Sequence, residues 1–190
     1  MPGAVFLEGD LVELRTVDES DVEFLHQLVN DPRVRRGIAA VDPVTHAQER
    51  EWVDSRVDGD DIDFVICDDG DPVGTIGLKP PNITTGASEV GYIVAPDDWD
   101  NGYATDALRT ICGYAFEERR LHKVYANAYE TNPASCRVLE NVGFEKEGVH
   151  RDQGFVGGEH VDVLRYGLLA HEWQHTADES GRETDRDSWI

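Results

Sequence analysis

Seven apolar residues, Ala104, Ala107, Leu108, Ile111, Cys112, Ala115 and Phe116, recur with the 3.6-residue period of one helix face. No other stretch constrains the fold as tightly. The spacing predicts a helix over 104–120 that must bury its apolar stripe against another layer. Upstream, Ala87 to Val94 reads as a strand and Pro96 to Gly102 as a loop with a glycine near its end. A strand feeding a helix through such a loop aims the free N–H groups of the first helical turn at one place, and that suits an anion.

The remaining signals fall on both sides of this unit. Leu11 to Val17 alternates as a strand. Ser20 with Glu23 reads as a capping box opening a helix that buries Val22, Leu25, Leu28 and Val29 and ends at Asn30-Asp31-Pro32. Thr45 with Gln48 caps a second helix through Trp52 to about Val57, and 58–61 is an acidic turn. Ile62 to Cys67 and Pro72 to Lys79 flank Asp68-Asp69-Gly70-Asp71, a hairpin signal. Lys123 to Tyr129 is a strand. Pro133 to Asn141 is a short helix capped by Asn132, with Gly143 at its C-terminal cap. Strands near Glu145–Phe155 and His160–Leu168 join at Gly157-Gly158. The fold class is α/β (α+β): one domain over 1–174, a central mixed, mostly antiparallel sheet flanked by helices, and a loose polar tail over 175–190.

Charge narrows the partners. The chain carries 39 acidic and 17 basic residues, a net charge of −22, and its lysines are Lys79, Lys123 and Lys146 alone. Such a surface repels itself unless salt screens it, which points to a halophilic, salt-rich cytosol. It argues against nucleic acid, which needs a basic footprint. No apolar run is long enough for a membrane span, and Met1 to Asp10 lacks a signal core, so a cytoplasmic protein is expected. Cys67, Cys112 and Cys136 read as reduced thiols, and the histidines sit at non-ligand spacings, so no metal is expected.

Two motifs carry the chemistry: Gly91-Tyr92-Ile93-Val94-Ala95-Pro96 followed by Trp99-Asp100-Asn101-Gly102-Tyr103-Ala104-Thr105, and Asn132-Pro133-Ala134-Ser135 followed by Leu139-Glu140-Asn141-Val142-Gly143-Phe144. Together, from Glu89 to Trp173, they resemble the GNAT superfamily of N-acetyltransferases, nearest its RimJ/RimL branch. The opening Leu11-Val12-Glu13-Leu14-Arg15 resembles that branch too.

The resemblance implies that the strand at Gly91–Val94 splays from the strand at Val124–Tyr129 in a V that takes the pantetheine arm of acetyl-CoA, the co-substrate. It implies cofactor contacts from Ile93 and Val94, from Asn101, Gly102, Tyr103, Ala104 and Thr105 under the pyrophosphate, and from Asn132 and Asn141. The acceptor is an amine that must lose a proton, and Glu89 is the candidate base, with a solvated carboxylate as the alternative reading. The backbone N–H near Val94 is the candidate oxyanion donor. Ser135 is the candidate acid toward the departing thiolate, or a local support of the helix start.

Two departures stand out. Trp99 and Asp100 replace the superfamily's usual Arg or Gln and Gly, and Leu139 stands where much of the superfamily has a tyrosine. The branch points to a protein N-terminal α-amine, such as that of a ribosomal protein. Small amines (polyamines, amino acids, antibiotics) and a non-catalytic acyl-CoA-binding module are the alternatives. A homodimer is possible by analogy.

The charge generates the first test. Melting followed from about 0.1 M to several molar KCl, across which the Debye length falls from ~10 Å to below ~3 Å, should show a rising Tm. A flat Tm would remove the halophile reading.

Overall fold

The computed structural model describes residues 2–56 and 59–173. The polar tail expected after 174 lies outside them, as do Val57 and Asp58 where the second helix was to meet the acidic turn.

Eight strands form one twisted sheet: β1 (Val5–Glu8), β2 (Glu13–Thr16), β3 (Ile62–Asp68), β4 (Asp71–Leu78), β5 (Ala87–Val94), β6 (Lys123–Tyr129), β7 (Glu145–Val156) and β8 (Glu159–Leu169). Their spatial order is β1-β2-β3-β4-β5-β6-β8-β7. Every neighbouring pair is antiparallel except β5 with β6. The α-helices are α1 (Val22–Asn30), α2 (Pro32–Ile38), α3 (His46–Ser55), α4 (Tyr103–Gly113) and α5 (Pro133–Val142).

Most elements lie where the sequence puts them. The β3–β4 turn places Asp69 and Gly70 at φ of 49° and 87°, the left-handed pair that a two-residue hairpin needs. Thr45 and Gln48 form the expected reciprocal box at α3. Two expectations are corrected and two elements are added. The first capping box is Asp18 with Asp21, opening a 3₁₀ turn before α1, because an acidic pair two residues earlier satisfies the same donors. Asn30-Asp31-Pro32 ends α1 as expected, but Pro32 also opens a helix the sequence did not reveal, α2, with Asp31 accepting from the Arg33 N–H. The 104–120 helix is α only to Gly113 and continues as a π turn over Tyr114–Glu118. β1 is an added edge strand.

One face of α4 lies on the sheet, where Ala107, Leu108, Ile111 and Cys112 are fully buried with Ile66, Ile76, Val124 and Leu168. α1 and α3 make a second, smaller cluster through Val22, Leu25 and Val53. At the start of α4 the Asp106 carboxylate is buried and accepts from three backbone N–H groups of the β1–β2 turn: Asp10 (3.2 Å), Leu11 (2.8 Å) and Val12 (3.1 Å). A Cβ at Gly9 would sit 2.3 Å from that carboxylate, so the turn closes on it only because position 9 is glycine.

Three donors on one buried anion make Asp106 a stability determinant. Asp106→Ala should cost about 3 kcal/mol, within the range for orphaning buried donors of a charged acceptor, while Asp106→Asn, which keeps one acceptor, should cost less. Chemical denaturation at fixed salt checks both; equal stability of Asp106→Ala and wild type would show that the turn does not depend on this carboxylate.

Candidate active site

β5 and β6 pair only over Ala87–Glu89 against Lys123–Tyr125. Beyond Glu89 they diverge and a groove of about 1410 Å³ opens between them, larger than the usual ~300–1,000 Å³ small-molecule pocket. The β4–β5 ladder fixes which backbone groups face it. Lys79 donates to the Glu89 carbonyl and Ala95 to the Val73 carbonyl, both at 2.8 Å. Alternation then directs the N–H and C=O groups of Val90, Tyr92 and Val94 away from β4, toward the opening. Ile93 is committed to Thr75 of β4 and offers the groove its side chain. At Gly91 an added Cβ would meet nothing within 4 Å, so the groove is open there.

The loop after β5 leads this opening to α4. Gly102 is the N-cap residue at φ 86°, and no side chain caps the helix. Gly102, Tyr103, Ala104 and Thr105 line the groove at that uncapped start. Asn101 does not; its Nδ2 donates to the Asp98 carbonyl at 3.3 Å. Asp100 is exposed with φ 63°, and the Trp99 indole N–H donates to the Val94 carbonyl at 2.8 Å.

The other wall is α5. Asn132 Oδ1 accepts from the Ser135 N–H at 3.2 Å, and Asn132, Ser135 and Asn141 all line the groove. The Tyr92 hydroxyl lies 2.9 Å from Ser135 Oγ and also donates to the Ser135 carbonyl at 3.1 Å. Burial pushes the Tyr92 phenol up to about 12, so it stays protonated across the physiological range. No local pattern in the sequence shows a strand tyrosine reaching a helix 43 residues on. Leu139, at the tyrosine position of the superfamily, is fully buried in the core.

Glu89 sits where the strands part. Its Oε1 accepts from Asn127 Nδ2 of β6 at 2.8 Å, and it lines the groove. Among the described residues, no group of three or more His, Cys, Asp or Glu is arranged to hold a metal, and no helix is long and apolar enough to cross a membrane.

Known proteins match this chain in sequence and in fold. The pattern of the family described as "Acetyltransferase (GNAT) domain" matches residues 12–145. The chain is 32% identical over 171 residues to the Bacillus subtilis protein named "Putative ribosomal N-acetyltransferase YdaF", covering 86% of this chain and 93% of that one. It is 24% identical over 163 residues to the spermidine N(1)-acetyltransferase of Escherichia coli K12, covering 85% and 88%. A GNAT-family acetyltransferase structure from Bacillus anthracis superposes with a TM-score of 0.77 at 25% identity, over 87% of this chain and 99% of that one. A groove between splayed strands, ending at an uncapped helix, thus occurs in a chain whose sequence and fold both match the same family: it belongs to the GNAT acetyltransferases, acetyl-CoA-dependent acyltransferases.

Proposed function

We propose that this N-acetyltransferase modifies the α-amine of a protein N-terminus, in the manner of the RimJ/RimL branch, and that Glu89 and Ser135 move the protons. The observation that carries the chemistry is the place where β5–β6 pairing ends. It leaves a wedge with Glu89 at its closed end, Ser135 on one wall and the uncapped start of α4 at its mouth.

The residues divide the work. The N–H groups from Gly102 to Thr105 receive the pyrophosphate of acetyl-CoA, where the helix dipole favours negative charge. The pantetheine arm runs along the wedge beside Val94, Asn132 and Asn141. Glu89, held by Asn127, accepts the proton of the attacking amine directly or through water. The Val94 N–H, directed into the wedge, donates to the oxyanion. Ser135 protonates the departing thiolate, and Tyr92, neutral and in contact with Ser135 Oγ, supports that donation.

Two observations support a protein terminus over a polyamine. The relative named for ribosomal acetylation is more similar than the spermidine enzyme. Negative charge at the groove is also offset: the four carboxylates that line it, Asp63, Glu89, Asp98 and Asp100, face five basic side chains. Asp63 is paired with Arg56 at 2.6 Å, and Asp61 lies 3.0 Å from Arg56 and 3.5 Å from Lys79. A polycation needs surplus negative charge, and these pairs leave little.

Three measurements test the reading. Turnover of acetyl-CoA with a panel of peptides and with spermidine, in high KCl, should favour peptides; acetylation of spermidine alone would overturn the acceptor assignment. Ser135→Ala should lower kcat by roughly 10²–10⁴-fold with little change in cofactor KM, the range for general acid catalysis. A stable Ser135→Ala variant with nearly full kcat would leave Ser135 as a contact only. Gly102→Val forces a β-branched residue into left-handed backbone and blocks close approach of a phosphate, so KM for acetyl-CoA should rise steeply; normal saturation in the folded variant would displace the pyrophosphate site.

A further inference from the structure

Asn127 joins two groups of opposite charge on the acceptor side of the wedge. Its Nδ2 donates to Glu89 Oε1 at 2.8 Å, and its Oδ1 accepts from Arg165 Nη1 at 3.4 Å. Arg165 belongs to β8, where it is the direct cross-strand partner of Asn127, and both line the groove. The Arg165 guanidinium lies flat on the Tyr125 ring, 3.4 Å from its centroid, which fixes its plane and leaves its edge donors directed outward. Arg165 is half-buried, makes no ion pair, and its other N–H groups have no partner among the described residues.

Acidic residues outnumber basic ones 39 to 17, yet a positioned guanidinium in the main groove has no carboxylate. Arg56 holds Asp61 and Asp63, Lys79 faces Asp61, and Arg33 holds Asp31 and Asp97. Arg36 and Arg137 line the groove without an ion pair among the described residues, but both are exposed and neither is stacked on a ring, so Arg165 is the unpaired guanidinium that is held in place. A planar fork held by stacking matches a carboxylate in two-point contact.

We propose that the acceptor carries a carboxylate within a few bonds of the reacting nitrogen, and that Arg165 receives it while Glu89 faces the amine. The inference deepens the acceptor reading above and rests on the wedge being the acetyl-transfer site. Two sources share the chemistry, a free amino acid and a peptide whose first residues are acidic. Asn127 sets the spacing between the two recognition points, and Tyr125 holds the guanidinium in place. A polyamine offers Arg165 only repulsion.

The experiment compares kcat/KM, at one KCl concentration, for a peptide starting with acidic residues, its Asn/Gln counterpart, free glutamate and spermidine. Wild type should prefer the acidic peptide or glutamate over the amide peptide by roughly tenfold or more, as expected for a charge-assisted two-point contact. R165Q should bring the ratio near unity, and R165K should keep part of it. Because the ratio is read within one variant, a loss of active protein cancels. Equal rates on acidic and amide peptides in wild type, or a ratio that survives R165Q, would overturn the role of Arg165 and leave the peptide acceptor standing. Turnover of spermidine with no peptide or amino acid would overturn both. Preference for glutamate over the acidic peptide would support Arg165 while moving the acceptor to free amino acids.

Discussion

β5 and β6 lie side by side for eight and seven residues but share only three paired positions, ending at Glu89 and Tyr125. Past that point the main-chain groups of Val90 and Tyr92 and the Val94 N–H face open space, the Val94 carbonyl being taken by Trp99, and unpaired backbone groups there need a partner. A linear molecule with alternating amide groups can take the place of the missing strand. The groove therefore binds by sheet geometry first and by side chains second. Helix α5 keeps the strands apart: it follows β6 directly, and its Ser135 is bonded to Tyr92 of β5. That contact ties the helix after β6 to β5 across the opening and relates the Ser135 hydroxyl, the proposed proton donor, to the strand along which the proposed cofactor site runs.

A second constraint is electrostatic. A polyphosphate must bind a chain of net charge −22. The groove resolves this locally. Five of the seventeen basic residues line it, Arg33, Arg36, Lys79, Arg137 and Arg165, against four of the thirty-nine acidic ones, Asp63, Glu89, Asp98 and Asp100. The acidic surplus thus lies on the outside, where salt screens it, and the site itself is close to neutral. The uncapped start of α4 then supplies directional donors that no side-chain charge has to provide.

What could be read in the sequence follows the range of the interactions. β5, β6, α4 and α5 were legible because their signals are local: alternation, a helical stripe, Asn132 before Pro133, Gly143 at φ 101° after the last turn. β1 was not, since Val5 and Phe6 are exposed and the strand is held by pairing with β2, by Phe6 against Phe64 and Tyr114, and by Leu7 packed on the core. α2 was hidden because Pro32 reads equally as a stop and as a first turn. In the site, the strand-loop-helix and the Asn132–Ser135 pair could be placed by spacing. The roles of Tyr92, Asn127 and Arg165 depend on partners about forty residues away, joined by tertiary contacts that no local pattern records.

The loop at Trp99-Asp100 shows how a departure from the superfamily pattern can preserve its geometry. The position where glycine is usual holds Asp100, and Asp100 adopts φ 63°, a left-handed conformation that glycine takes freely and that aspartate tolerates better than most residues. Gly102 takes φ 86° two residues later, where a side chain would also press on Leu11 at 3.2 Å. The backbone path between strand and helix is therefore retained at a cost of about 1–2 kcal/mol for one non-glycine residue. Trp99, in place of Arg or Gln, braces the same path by donating its indole N–H to Val94 across the loop. That bond takes up the groove-side carbonyl of Val94 and leaves its N–H open. The two substitutions thus constrain the loop by different chemistry while keeping the donor groups of Val94 and of the α4 start where the wedge needs them.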